Sequence, residues 1–407
     1  MHLSAFLFIG ASLTELVTAA IGGAGYDTSR LGPSNAVCER KTYTVSAQAN
    51  NTVYEAPLSP NISESALSRV WIDFIVSTLT ASSASNFSNS YVGKTKKLVS
   101  GAYAISGTLC TPKAGEKNAS HVQLLIHGVG ADSSYWDFSP SEEYSYVRAS
   151  AAAGIATFRY DRLGTGLSEK PADSYTIVQS PLELAIAQKF ASMLRAGKIG
   201  NTKFTKVVGV GHSYGAIQIQ ALSATVPSAL DGIILQGFTL NATALPLTIA
   251  GGAYAIATDV FPERFSASEL TDSYVASLGP LTNKFAFWHH PGYTEQAFQR
   301  ARNTEQPTPQ ASFLSLTDII QPAATFAGLV HVVTGDKDFV FCLADCYAVP
   351  AGSGKSSLLE FVQELYPAAG NFSTHIPVNT GHSINGHISA PQTYRNMLAF
   401  VEKVFAQ

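Results

Sequence analysis

Lys206-Val207-Val208-Gly209-Val210-Gly211-His212-Ser213-Tyr214-Gly215-Ala216-Ile217-Gln218-Ile219-Gln220-Ala221-Leu222 is the stretch whose reading decides the fold. Its first five residues are a short β-branched run, the pattern of a buried strand. Its last seven repeat apolar residues on one helical face. Between them stands G-x-S-x-G, a turn sharp enough to strain the serine backbone, with glycines that let neighbouring chain pass close by. Such a turn lifts the Ser213 hydroxyl out of a sheet and sets it at the positive end of the next helix, where a developing oxyanion is favoured. It reads as a nucleophile elbow.

Three further segments surround the elbow. Upstream, His121–Ile126 is an apolar strand that runs into His127-Gly128-Val129-Gly130. Ile155–Tyr160 is another, ending in Asp161-Arg162-Leu163-Gly164-Thr165-Gly166-Leu167-Ser168. Downstream, Leu329–Thr334 precedes Gly335-Asp336-Lys337-Asp338, and Asn379-Thr380-Gly381-His382-Ser383-Ile384 precedes a C-terminal helix. Together these resemble the α/β-hydrolase superfamily, cap-domain branch, over about residues 100 to 405, and in particular its secreted fungal members. The resemblance implies an α/β fold with a mostly parallel central sheet flanked by helices and an inserted helical lid. It also implies a catalytic triad in the order Ser213, Asp338, His382, with the backbone N–H groups of Val129 and Tyr214 as the oxyanion hole. Asp336 is the competitor for the acid, and Asp259 would serve only if the acid followed the preceding strand. His387 is a lesser competitor for the base. Asp161 and Arg162 read as structural, as does His212.

The chemistry follows from the residue types. A serine hydroxyl is a weak nucleophile at neutral pH and needs a base within hydrogen-bond reach. His382 would take its proton, and Asp338 would hold the imidazole tautomer. The expected activity is hydrolysis of an ester or lactone bond of an apolar small molecule through an acyl-enzyme. A lipase or peptidase of the same fold is the alternative, as is a non-catalytic binding protein with an idle triad. No cofactor and no metal are expected.

Composition fits one large domain: 407 residues, 46% hydrophobic and 14% charged, enough to bury a sizeable core. A net charge of −3 offers no basic patch for nucleic acid. Gly352-Ser353-Gly354-Lys355-Ser356 mimics a phosphate loop, but Val349 stands where such a loop needs a glycine. Residues 1–20 read as a signal peptide, with an apolar run from Leu3 to Leu13 and small residues at Ala19 and Ala20. Sequons begin at Asn50, Asn61, Asn86, Asn118, Asn241 and Asn371, so a secreted glycoprotein is expected. Four cysteines allow three pairings; Cys38–Cys110 and Cys342–Cys346 are favoured over the alternatives and over a metal site.

The expected organisation is an N-terminal arm and helix over 21–97, core over 98–238, lid over 239–325 and core again over 326–407. The arm is read as extended over 21–40, and residues 98–112 as an edge strand. Leu67, Val70, Trp71, Phe74, Ile75 and Leu79 recur at helical spacing, for a helix that braces the sheet or roofs the pocket, bracing being preferred. Phe261, Tyr274, Phe285, Phe287, Trp288 and Tyr293 are candidates for the substrate pocket or for lid core. The apolar stretch from Ala244 to Val260 reads as a cap helix and no transmembrane segment is expected, although the lid is also a candidate for contact with lipid surfaces.

Overall fold

The computed structural model describes residues 31–407 apart from 81–83, 116 and 118, with only the backbone of 84–86. The signal peptide, the first ten residues of the arm, the sequon at Asn118 and the Asn86 side chain lie outside the described residues.

Apolar runs with no polar alternation make strands buried on both faces, and five of them build the centre of the sheet. These are β3 (His121–Ile126), β4 (Ala156–Tyr160), β5 (Lys206–His212), β6 (Gly232–Gln236) and β10 (Leu329–Val333). With β1 (Ala36–Tyr54), β2 (Val92–Pro112) and β11 (Asn371–His375) they form one sheet in the order β1-β2-β4-β3-β5-β6-β10-β11. Pairing is parallel from β4 to β11 and antiparallel at the β1–β2 and β2–β4 seams. Successive side chains feed opposite layers: Leu124 and Ile126 join one core with Phe190 and Ile217, and Leu125 joins the other with Val147 and Val401. The helices Ser180–Arg195 and Tyr214–Thr225 cover the first face, and Tyr146–Ala152 and Ala390–Phe405 the second.

The chain leaves β3 for β4 on one side and then returns to β5 on the other. The strand order therefore reverses beside β3, and a crevice opens outside the carboxyl ends of β3 and β5. His127 and Ser213 follow those two ends.

The N-terminal segment differs from the expectation. Residues 36–54 are not arm but a 19-residue strand, paired residue for residue with β2 from Ala36↔Pro112 to Thr52↔Lys96, where the register shifts before Tyr54↔Val92. β1 is the sheet edge, so the strand read at 98–112 is interior, and it begins at Val92. Much of β1 faces solvent with Thr, Gln and Asn, which hides a strand from any search for apolar runs. The helix Glu64–Leu79, capped by the Ser63 side chain, hangs between β1 and β2. It does not brace the sheet: Leu67, Val70 and Trp71 pack on the inserted lid, where Trp71 meets the rings of Tyr254 and Phe313 and donates to the Tyr254 carbonyl.

The lid between β6 and β10 is not purely helical. Its helices, among them Leu245–Gly252 and Pro280–Phe287, are joined by an antiparallel sheet of β7 (Tyr254–Ile256), β8 (Tyr274–Ser277) and β9 (Thr308–Pro309). Strands of two to four residues are too short to print a period on the sequence. Among the described residues no helix is long and apolar enough to cross a membrane. Two disulfides close the structure, Cys38–Cys110 between register partners of β1 and β2, and Cys342–Cys346 in the loop after Asp338.

Candidate active site

Ser213 follows β5 in a conformation that side chains rarely adopt, φ 55° and ψ −119°. Holding it there costs roughly 1–3 kcal/mol, supplied by the surrounding packing. Both elbow glycines are required sterically. A Cβ at Gly211 would sit 2.1 Å from the Gly215 carbonyl oxygen, and one at Gly215 would sit 2.1 Å from that of Ile126. Ser213 thus projects at the start of the helix Tyr214–Thr225. Among the described residues, neither the Tyr214 nor the Val129 backbone N–H has an acceptor. Both residues line a cavity that Ser213 also lines.

His382 donates from Nδ1 to Asp338 Oδ2 across 2.7 Å. Both side chains are buried, and Asp338 Oδ1 accepts the Phe341 N–H at 2.9 Å, so the carboxylate is held at both oxygens. With its proton on Nδ1, the ring presents Nε2 as an acceptor, and Nε2 has no partner among the described residues. His382 and Ser213 line one cavity together. The Cys342–Cys346 disulfide closes the turn behind Asp338, where the Ala344 N–H also donates to the Asp338 carbonyl.

The competitors are placed elsewhere. Asp336 accepts the Thr380 N–H at 2.9 Å and so fixes the loop that carries His382, not its ring. Asp259 is exposed on the lid. His387 accepts from the N–H groups of Gly381 and His289, donates to the Ser383 carbonyl and stacks on Trp288, tying the His382 loop to the lid. Burial pushes that imidazole down to about 4, so it is a neutral strut at neutral pH. The Gly352–Ser356 run lies in a surface loop.

A buried ion pair stands under the elbow. Arg162 Nη1 donates to Glu183 at 2.6 Å, and the Tyr214 hydroxyl donates to the other Glu183 oxygen at 2.6 Å. His127 accepts the Arg162 N–H at Nε2 and donates to the Gly128 carbonyl, while Asp161 accepts from the N–H groups of Ser133 and Leu167. These groups fix the loops around Ser213 without reaching it. His212 stacks on Tyr135 at 4.3 Å and lies 4.9 Å from the His382 ring. Burial first, and His382 second, push its pKa well below the ordinary range.

Two cavities meet at Ser213. One, about 240 Å³, is walled by Phe74, Ile249, Phe287, Phe313 and Phe341. The other, about 80 Å³, is lined by Asp132, Tyr135, His212, Trp288, Glu305 and His382. Of the lid aromatics, Phe287 reaches both cavities and Trp288 the smaller. Phe261 and Tyr274 form lid core, Phe285 is exposed, and Tyr293 packs on Trp288. The role of Asp132 was not legible in the sequence, and for Phe74 a place over the pocket was the less favoured reading of its helix. For Phe74 the signal was the helical stripe beside Trp71; for Asp132 there was none. Among the described residues no cluster of His, Cys, Asp or Glu is arranged to hold a metal ion.

No significant sequence match to a curated protein is found. Solved structures with a similar fold include a thermophilic esterase from Thermogutta terrifontis (14% identity, 75% of this chain and 95% of that one, TM-score 0.46). Est1E from Butyrivibrio proteoclasticus (14%, 75% and 97%, 0.43) and an alpha/beta hydrolase fold protein from Chitinophaga pinensis (15%, 74% and 94%, 0.45) are others. The alpha/beta hydrolase family itself matches residues 123–395, from β3 into the last helix, and with the sheet order above this establishes that the chain belongs to the alpha/beta hydrolase family.

Proposed function

We propose that the protein is a secreted serine hydrolase that cleaves an ester or lactone bond of an apolar small molecule through an acyl-enzyme. The observation that carries the reading is the strained Ser213 beside a His382 whose Nδ1 is held by buried Asp338 and whose Nε2 is free. His382 Nε2 takes the Ser213 proton as Oγ attacks the carbonyl carbon. The oxyanion forms against the unpaired N–H groups of Val129 and Tyr214, a donor pair of which each member is worth on the order of 3 kcal/mol in the barrier. The ester C–O bond breaks, the alcohol leaves with the proton from His382, and water repeats the steps on the acyl-enzyme. Two disulfides and exposed sequons at Asn50, Asn61 and Asn371 support the secreted assignment.

The test is turnover of a panel of short and medium-chain esters and lactones by wild type and Ser213→Ala. Loss of all turnover in a variant of unchanged thermal stability is expected. Survival of turnover within a few fold would overturn the mechanism.

A lipase version of this reading is favoured by one observation. Leu281 and Phe285 are 79% and 51% exposed on the helix whose Phe287 lines both cavities. A rise in rate when a soluble ester passes into an emulsion would select it.

A further inference from the structure

The two cavities at Ser213 are not equivalent, and the position of the base decides which part of a substrate each receives. His382 lines the smaller cavity and is not among the residues lining the larger. The base must return its proton to the leaving oxygen, so the leaving group lies on the side of His382. The acyl group then falls into the larger cavity, whose walls are aliphatic and aromatic apart from a few hydroxyls.

The leaving-group side is the more polar of the two, and most of its polar atoms are already engaged. Glu305 accepts from the Ser277 N–H at one oxygen and from Asn283 and Arg302 at the other. The Tyr135 hydroxyl donates to Gln236. Besides the ring nitrogens His382 Nε2 and His212 Nδ1, which are also unpaired among the described residues, the exception is Asp132. It is 1% exposed, and Oδ1 accepts the Ser134 N–H at 2.8 Å, but Oδ2 has no partner among the described residues. A buried acceptor left unpaired is costly, and a ligand group that supplies the missing donor recovers that cost. Burial, with Asp161 beside it, pushes the carboxyl up to about 7. A hydroxyl suits such a group in either protonation state, because it can donate to the carboxylate or accept from the acid.

We propose, building on the serine-hydrolase reading, that Asp132 is the specificity determinant of the leaving-group side. Its free oxygen binds a hydroxyl carried by the alcohol portion, so the substrate class is a partial ester of a small diol or polyol with an apolar acid. The bond changes are those of acyl transfer: Oγ–C forms, the ester C–O breaks, and the hydroxylated alcohol departs with the proton from His382.

The test compares 2-hydroxyethyl hexanoate with propyl hexanoate, which carries a methyl group in place of the hydroxyl. Wild type is expected to favour the hydroxylated ester in kcat/KM by about tenfold or more, since a site with an unpaired buried polar group rejects the analogue that leaves it unpaired. In Asp132→Ser, which keeps an acceptor for the Ser134 N–H, that ratio is expected to fall to near one. Asp132→Asn, which keeps volume, cap and a polar partner for the hydroxyl, is expected to retain much of the preference. A wild-type ratio near one, or a ratio unchanged in folded Asp132→Ser, overturns the inference; where that variant fails to fold, the wild-type ratio decides. Equal turnover of both esters that is lost in Ser213→Ala leaves the serine-hydrolase reading standing. Failure to turn over either ester overturns this assignment, and the serine-hydrolase reading falls with it only if Ser213 also resists a fluorophosphonate.

Discussion

Ser213 can be presented because the residues around it give up their side chains. Gly128 illustrates how little room there is: a Cβ there would lie 2.9 Å from the Ser213 Cβ and 3.2 Å from the His212 carbonyl oxygen. Gly128→Ala is therefore expected to displace the serine and lower kcat/KM by about a hundredfold, the scale of an ångström-sized misplacement at a reacting centre. Activity within a few fold of wild type would show that the loop yields instead. Asp132 makes a prediction of a different kind. Its carboxyl is raised to about 7 in the fold, by burial first and Asp161 second, and stands near 4 in an unfolded chain. Between those values the folded state holds a proton that the unfolded state has released, so stability falls as pH rises through that window and levels off above it. Lys170, Arg264 and Arg40 share this field, and Arg40 pulls the carboxyl back down. Asp132→Asn is expected to flatten the decline, by an amount on the order of a few kcal/mol. Urea unfolding at about pH 4.5 and about pH 8 measures it; parallel declines in the two proteins would contradict the assignment.

At the scale of elements, the parts with a strong period were readable and the parts whose identity depends on neighbours were not. β3, β5 and β10 announce themselves because strands buried on both faces must be apolar throughout. The elbow and the loop carrying His382 are readable because their glycines answer a steric need: a Cβ at Gly381 would press on backbone atoms of Phe287, Trp288 and His289. β1 escaped because an exposed ribbon of Thr, Ser, Gln and Asn is stabilised by pairing with β2, a long-range fact. Asp132 escaped for the same reason, since only the fold decides that it lines a cavity and that its second oxygen is buried without a partner among the described residues. The helix Glu64–Leu79 was seen, but not the side it covers. Its packing on the lid makes Trp71 a hinge pin: Trp71→Ala is expected to cost about 3 kcal/mol or more. The loss should appear as hydrogen exchange confined to residues 64–79 and the facing lid, not as global unfolding. Because Phe74 and Thr78 line the apolar cavity, KM for a hexanoate ester is expected to rise in the same variant. Uniform exchange across the whole sheet would contradict a locally docked helix.

Seen whole, the molecule is a sheet whose strand order reverses beside β3, with His382 and Ser213 at the resulting crevice and two unlike cavities beside them. The smaller is the more polar and adjoins His382; the larger is apolar and is closed jointly by the lid and by the helix that the β1–β2 ribbon delivers. Family membership fixes the scaffold, while the chemistry rests on whether Ser213 is activated. The most direct measurement is labelling of the purified protein with a fluorophosphonate probe, followed by peptide mapping of the adduct. A single adduct on Ser213, abolished in His382→Ala and strongly reduced in Asp338→Asn, is the predicted result. Folded protein that takes up no label, or labels equally well without His382, would contradict the triad and turn the crevice into a binding site on a hydrolase scaffold.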